Sequence, residues 1–310
     1  MSDEWVVYEG NEGPGNGKHI VLVSGDEEYR SEEALPALGK ILAVHHGFKC
    51  TALFAINAET GEIAPDDQTN IPGLEALGDA DMMIIATRFR NLPDDQMKHI
   101  VDFTNSGKPI LGMRTATHGF NIAREDTSYG HLSWNSKDPE GGWGRQVLGE
   151  TWVSHHGHHA HESTRGVVAD GAADHPIVKG CEDIWGPTDV YEVRELTGSP
   201  QVLIDGQVLQ GMDPGDAVNT EKPTMPVAWI KNYTGETGNS SRIFCTTMGA
   251  ATDLPSEGMR RLLVNGTYWC LGMEDQIADR ANVDIVGEFD PTAFGFGTFR
   301  KGTKPSDYAL

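Results

Sequence analysis

Short unbroken apolar runs alternate along the chain with segments that carry apolar residues at helical spacing. His19-Ile20-Val21-Leu22-Val23-Ser24 is a run of strand length, and Gly25 to Arg30 is a polar turn. Leu35, Leu38, Ile41 and Leu42 then recur with helical period. Ser31 reads as the N-cap of that helix, Glu32 and Glu33 suit its dipole, and Gly47 closes it. Residues 49–54 predict a second strand, 56–73 a loop, and 74–77 the start of a short helix. Residues 81–86 form a third run, apolar enough for burial on both faces. Pro93 opens a helix through Phe103, Gly107 stops it, and residues 109–113 predict a fourth strand. A small-residue turn, Arg114-Thr115-Ala116-Thr117, follows. This alternation predicts right-handed βαβ units and a parallel sheet.

The second half is less regular. Residues 124–145 are a long loop rich in Gly, Asp, Ser and Trp, a length that is often functional, as a lid or a dimer contact. A homo-oligomer is therefore among the expectations. Residues 190–204, 226–230 and 242–247 read as strands. Residues 256–271 read as a helix with Leu262, Leu263, Tyr268 and Trp269 as candidate core. Residues 277–310 lack periodicity, and Phe294-Gly295-Phe296-Gly297-Thr298-Phe299 reads as an extended segment packed on the body. The division is an N-terminal arm (1–17), one domain (18–273) and an extended tail (274–310).

Composition narrows the partners. Of 310 residues, 24 are Lys or Arg and 46 are Asp or Glu, so the net charge is 24 − 46 = −22. An acidic surface repels phosphate backbones and anionic bilayers, which argues against nucleic-acid and membrane partners. Mean hydropathy is −0.39, and no apolar run reaches the length of a membrane span. Cys50, Cys181, Cys245 and Cys270 sit far apart with no C-x-x-C pair, which predicts buried free thiols. The start, Met1-Ser2-Asp3-Glu4-Trp5, has no signal-peptide core, so the sequence as written reads as cytoplasmic.

Ligands of open parallel sheets bind beyond the carboxyl ends of the strands. That rule selects Ser24 to Arg30, Thr87 to Asn91 and Arg114 to His118, each charged just after an apolar run. Glu28 and His118 are candidate general acids or bases, and Arg114 a candidate oxyanion stabiliser. Asp26, Glu27, Arg30 and Arg88 are candidate substrate ligands. Trp134, Trp143, Trp152, Trp185 and Trp229 lie in loops or near strand ends. Such faces hold sugar rings, and Trp152 is the candidate for that role.

Five of the twelve histidines lie in Ser154-His155-His156-Gly157-His158-His159-Ala160-His161. In an extended segment His156 and His158 share a face, so this pair is the candidate for a divalent metal such as zinc. A third ligand would come from Asp189, Glu192 or the rim. His155 and His159 would face elsewhere and, with Asp189, are candidate substrate ligands. The sequence lacks G-x-G-x-x-G, G-x-x-x-x-G-K-[ST] and G-x-S-x-G.

Pro109-Ile110-Leu111-Gly112-Met113-Arg114-Thr115-Ala116 resembles the strand and elbow of class I glutamine amidotransferase-like folds, with Arg114 where those enzymes carry their nucleophilic Cys. Further motifs occur in order: Gly112 to Phe120, Leu148-Gly149-Glu150, His175-Pro176-Ile177-x-x-Gly180, Thr188-Asp189-x-Tyr191, Pro226-Val227-Ala228-Trp229, Arg242 to Gly249 and Arg260 to Gly272. Together they resemble the ThuA-like (trehalose-utilisation) family over about residues 18–273. The His-His-Gly-His-His run and the Phe-Gly-Phe-Gly tail are similar to a planctomycete-type subgroup. Members of that subgroup often begin with a secretion signal, and Trp5 to Gly17 is similar to their mature start, which implies a periplasmic or secreted protein. Many relatives carry His-Ala-Ala-Thr-Asp at the elbow and Gly-His near the last strand. This chain has Arg114-Thr115-Ala116-Thr117-His118 and Gly249-Ala250.

The resemblance implies a flavodoxin-like three-layer α/β sandwich with a mostly parallel sheet. It also implies sugar metabolism, often beside sugar oxidoreductases. The leading expectation is an isomerase, lyase or hydrolase that abstracts a proton from a sugar or 3-keto-sugar without a Cys nucleophile. The alternatives are a non-catalytic sugar-binding module and a zinc amidase or hydrolase.

Overall fold

The computed structural model describes residues 4–310. Trp5–Tyr8, within the expected N-terminal arm, forms β1, an edge strand antiparallel to its neighbour. The four apolar runs become β2 (His19–Gly25), β3 (Lys49–Leu53), β4 (Met82–Thr87) and β5 (Ile110–Met113). Between them lie α1 (Ser31–His46) and α2 (Asp94–Asn105). The second half adds β6 (Thr164–Val168), β7 (Trp185–Gly186), β8 (Gln201–Val208), β9 (Met225–Thr234), β10 (Ser240–Thr246) and α3 (Glu257–Cys270).

All ten strands join one sheet in the order β1-β3-β2-β4-β5-β10-β9-β8-β6-β7. The stretch β3-β2-β4-β5-β10 is parallel. The strands flanking it pair antiparallel. The sheet is thus mixed, with a parallel centre, rather than mostly parallel. For β9 and β10 the reason is the connection: residues 235–239 are too few for the crossover that a parallel pair would need.

The alternation along β2 builds the three layers. Ile20 and Leu22 pack with Leu35, Leu38 and Ile41 of α1 and with Met259, Leu262 and Leu263 of α3. Val21 and Val23 face the other way, into Met97, Ile100 and Phe103 of α2. Ser31 does not cap α1. The cap is Arg30, in the left-handed region at φ 59°, while the Ser31 hydroxyl lies 2.8 Å from that of Ser24 and accepts the Gly25 amide at 3.2 Å. Gly47 ends α1 as expected, at φ 79°. The predicted strand over 190–204 shrinks to an isolated bridge at Tyr191, with β8 starting at Gln201. Among the described residues no helix is long and apolar enough to cross a membrane.

The tail runs back over the body without regular elements until a 3₁₀ turn at Pro305–Tyr308. The Glu33 carboxylate holds the Thr292 amide and hydroxyl, each at 2.8 Å. Near its end, the Tyr308 carbonyl accepts the Tyr8 hydroxyl at 2.8 Å. All four cysteines are free thiols, and Cys50, Cys245 and Cys270 are buried.

Candidate functional site

Three strand ends open onto one rim, and each turns sharply. Arg30 after β2, Phe89 after β4 and Arg114 after β5 all have positive φ, at 59°, 49° and 45°. Each such residue costs roughly 1–3 kcal/mol and persists only where surrounding contacts over-determine it. Here the contacts are polar.

The turn after β2 is organised by Asp26. One carboxylate oxygen accepts the amides of Glu28 at 2.8 Å and Tyr29 at 3.1 Å, and the other accepts the Thr115 hydroxyl at 2.8 Å. Asp26 therefore ties the turn to the elbow. Glu27 is spent on Arg88 and Arg90. Arg90 itself is buried against the carbonyls of Pro65, Asp67 and Arg88. Arg30 donates to the carbonyls of Glu27 and Gly295. Expected as substrate ligands, Asp26, Glu27 and Arg30 instead brace the loop, because each polar atom they could offer is turned inward.

Arg114 is corrected in the same sense. Its guanidinium is sealed from solvent between the rings of Tyr29 and Tyr191, 4.1 and 3.9 Å from their centroids. It donates to the carbonyls of Asp189 (2.9 Å) and Thr247 (2.7 Å) and to the Asp189 carboxylate (3.2 Å). It cannot reach an oxyanion from there. It positions Asp189. His118 is also buried, among Phe89, Trp152 and Tyr191, with Thr117 as its hydrogen-bond neighbour. Burial first, then the charges of Arg88 and Arg114, push its pKa well below the ordinary imidazole value. It is a neutral packing residue, not the general acid or base expected.

The histidine run is not extended. The amides of His156 and Gly157 both turn to the Val190 carbonyl at 2.9 Å, and Ala160 has φ 60°. The bend breaks the two-residue period. His156 is drawn to the Pro223 carbonyl at 2.8 Å, and His158 stacks on His161, so the expected metal pair is parted. His155 and His159 meet instead, their ring centres 4.8 Å apart.

Asp189 joins them. Its two oxygens lie 2.7 Å from His155 Nδ1 and 3.0 Å from His159 Nδ1. Burial opposes its charge, but hydrogen bonds from both histidines, with Arg114 behind, hold its carboxyl well below the usual carboxylate range. An ionised carboxylate only accepts, so both rings carry hydrogen on Nδ1 and leave Nε2 for chemistry. His159 Nε2 lies 3.5 Å from Glu28 Oε1, whose other oxygen is 3.1 Å from Arg88 Nε. The Asp189 hydrogen bond raises the His159 pKa against the effect of burial. Burial raises that of Glu28, with Arg88 opposing. The result is a proton donor and acceptor side by side, each with its pKa raised. His155, His159 and Asp189 also offer ligand atoms within 4.8 Å of one another, a set that could hold a cation.

Aromatic rings close the site. Trp152 contacts His118, His155 and Trp134, and Phe294 from the tail stacks on Tyr29 and meets His159 edge-on. Trp143 and Trp229 are core residues, with ring nitrogens on Thr104 and the Leu148 carbonyl. Sequence reasoning assigned no role to Tyr29, Tyr191, Asp253 or Phe294. The Thr188-Asp189-x-Tyr191 motif was the available signal for Tyr191. Asp253 is buried and gathers Thr188 and the Gly249 and Ala250 amides beneath the site. A cleft of about 270 Å³ between α1 and the tail lies away from these strand ends, so convergence of polar groups, not cavity size, selects the site.

The parallel centre, its crowded carboxyl edge and the strained turn after β5 define a flavodoxin-like α/β protein with an arginine at the elbow. The chain belongs to the ThuA (trehalose utilisation) family, whose model matches residues 20–270, and membership carries a carbohydrate-related role. Among solved structures it is similar to a ThuA-like protein from Parabacteroides merdae ATCC 43184, at 12% identity. That match covers 94% of this chain and 99% of the other with a TM-score of 0.52, a likeness of fold. The mmIFT52 N-terminal domain matches at 10% identity over 82% of this chain and 97% of its own, with a TM-score of 0.42. The exo-beta-1,4-mannosidase Op5Man5 from Opitutaceae bacterium strain TAV5 matches at 11% identity over 82% of this chain and 36% of its own, with a TM-score of 0.32. No curated protein matches the chain.

Proposed function

We propose that the protein moves a proton on an oxidised (keto) sugar. The observation that carries this reading is the Glu28–His159 pair, 3.5 Å apart, with Asp189 behind the imidazole. A carbonyl acidifies the neighbouring C–H, so one base and one oxyanion partner suffice. Glu28 takes the proton from carbon. His159, kept protonated, donates to the oxygen that becomes enediolate. His155 Nε2 accepts from a hydroxyl, and Trp152 faces the ring. Return of the proton to the neighbouring carbon isomerises the sugar, and departure of a β-substituent makes the same step an elimination.

The test is deuterium incorporation from D₂O into a 3-keto-glucoside, followed by NMR. Exchange in the wild type, lost in Glu28→Gln and His159→Ala, supports the reading. A wild type that binds the sugar without exchange makes this a sugar-binding module.

A second reading rests on the 4.8 Å cluster. Those residues suit a divalent cation such as zinc, with imidazole and carboxylate donors. Elemental analysis decides it: one equivalent of metal, lost in His155→Ala/His159→Ala, supports a metal centre, and none in the wild type removes it.

A further inference from the structure

Two consecutive residues of the tail reach the Glu28–His159 pair, one on each partner. The Gly295 amide donates to the Glu28 carbonyl at 2.7 Å. The Phe294 ring meets the His159 imidazole edge-on, with 5.5 Å between their centres, and stacks on Tyr29 at 5.8 Å. Tyr29 itself stands at right angles to His159, 6.2 Å away. The imidazole thus lies in a corner made by two aromatic rings. Its bond to Asp189 fixes only Nδ1, and the outer torsion of a histidine is broad. The direction of Nε2 is therefore set by the rings packed around it. The tail segment that supplies Phe294 is itself pinned. Glu33 holds Thr292 through amide and hydroxyl, and Arg30 donates to the Gly295 carbonyl at 3.3 Å. The Thr298 hydroxyl closes the turn on the carbonyls of Ala293 and Gly295, at 2.8 and 2.9 Å. Gly295 has φ 133°, a conformation that a side chain resists, and this turns its amide to Glu28.

We infer that Phe294 is a positioning residue: packed against His159 while Gly295 holds Glu28, it fixes the 3.5 Å approach of His159 Nε2 to Glu28 Oε1. The site is then complete only with the tail in place, although the tail lies beyond the family-matched residues 20–270. The catalytic consequence rests on the proton-transfer reading of that pair, whereas the geometry stands without it. Proton transfer demands close alignment, and a displacement of about 1 Å costs on the order of 10²-fold in rate. Phe294 touches neither Glu28 nor the place of the reacting carbon, so its effect passes through the imidazole. Truncating it frees the ring to swing about the Asp189 bond and leaves every polar group of the site present.

Two measurements on the full chain test this, comparing the wild type with Phe294→Ala and Phe294→Tyr. The first needs no substrate: nuclear Overhauser contacts between the His159 ring protons and the Glu28 side chain. They are expected in the wild type and in Phe294→Tyr, and lost in Phe294→Ala. The second is deuterium exchange into the 3-keto-glucoside at saturation, with its Kd read alongside. Phe294→Ala is expected to slow exchange about ten- to hundredfold at an unchanged Kd, and Phe294→Tyr to restore it. Contacts that persist in Phe294→Ala, or a rate that falls only as binding weakens, overturn the positioning role and leave the pair standing. A wild type without the contacts overturns the pair itself. Contacts without exchange in the wild type overturn the proton-transfer reading alone.

Discussion

Arg114 and Asp189 meet at 3.2 Å with both side chains sealed from solvent. Removing either leaves the other charge buried and alone. Arg114→Ala is therefore expected to cost about 3–5 kcal/mol, read as a lower urea midpoint. Arg114→Lys keeps the charge but loses the planar fork between two tyrosines, and should fall between wild type and alanine. An unchanged midpoint in Arg114→Ala would show that the pair contributes nothing to folding.

The half-buried His159 and the buried His118 should titrate oppositely. The folded pKa of His159 lies above its unfolded value, chiefly through its hydrogen bond to Asp189. Its stabilisation is whole below about 6.5 and is lost as pH rises through the folded value. In Asp189→Asn the His159 resonance should titrate at lower pH. The His118 ring should stay neutral throughout, since burial lowers its pKa well below the ordinary value. Imidazole NMR across pH 5 to 8 or so reads both. A His118 signal that moves with that of His159 contradicts the burial argument.

The exchange reaction should have a bell-shaped pH profile. Its rate rises as Glu28 ionises above the ordinary carboxylate range, and falls as His159 loses its proton. Glu28→Gln should lower the rate roughly 10²- to 10⁴-fold. If the substituted protein keeps the wild-type profile, the base lies elsewhere.

Glu32 offers a stability test away from the rim. Burial pushes its pKa from 4.5 to about 8, with Arg30 opposing. The folded value exceeds the unfolded one, so its contribution is whole below 4.5 and is lost as pH climbs through about 8. Glu32→Gln should flatten this window and exceed the wild type in stability at its alkaline end. Urea midpoints over the range measure it. A wild-type profile already flat there would mean that Glu32 stays ionised against Arg30, 3.5 Å away.

The parallel centre was legible because β2 to β5 are buried on both faces and so read as unbroken apolar runs. Strand β1 is apolar but only four residues long within a polar, Gly-rich stretch, while β6 opens on Thr164-Arg165-Gly166 and β7 has two residues, too little pattern to read. The run from Val190 misled because Tyr191 makes one bridge before the chain turns at Gly198, φ 82°. The rim could be located from strand ends, but not its inner order. Composition marks Arg114 as a charge and cannot show that two tyrosines and two carbonyls consume it. Likewise, a bend set by the Val190 carbonyl decides which histidines meet, and that acceptor lies 31 residues beyond His159 and 35 beyond His155.

The bond between Tyr8 and Tyr308 makes the fold close to a ring, because segments 300 positions apart touch. A short linker there, with a new opening at the exposed Ala58–Thr60 turn, would give a circular permutant whose strand ends keep their places. The order in which the polypeptide visits its layers is thus separable from the geometry that brings Glu28, Asp189 and the tail together.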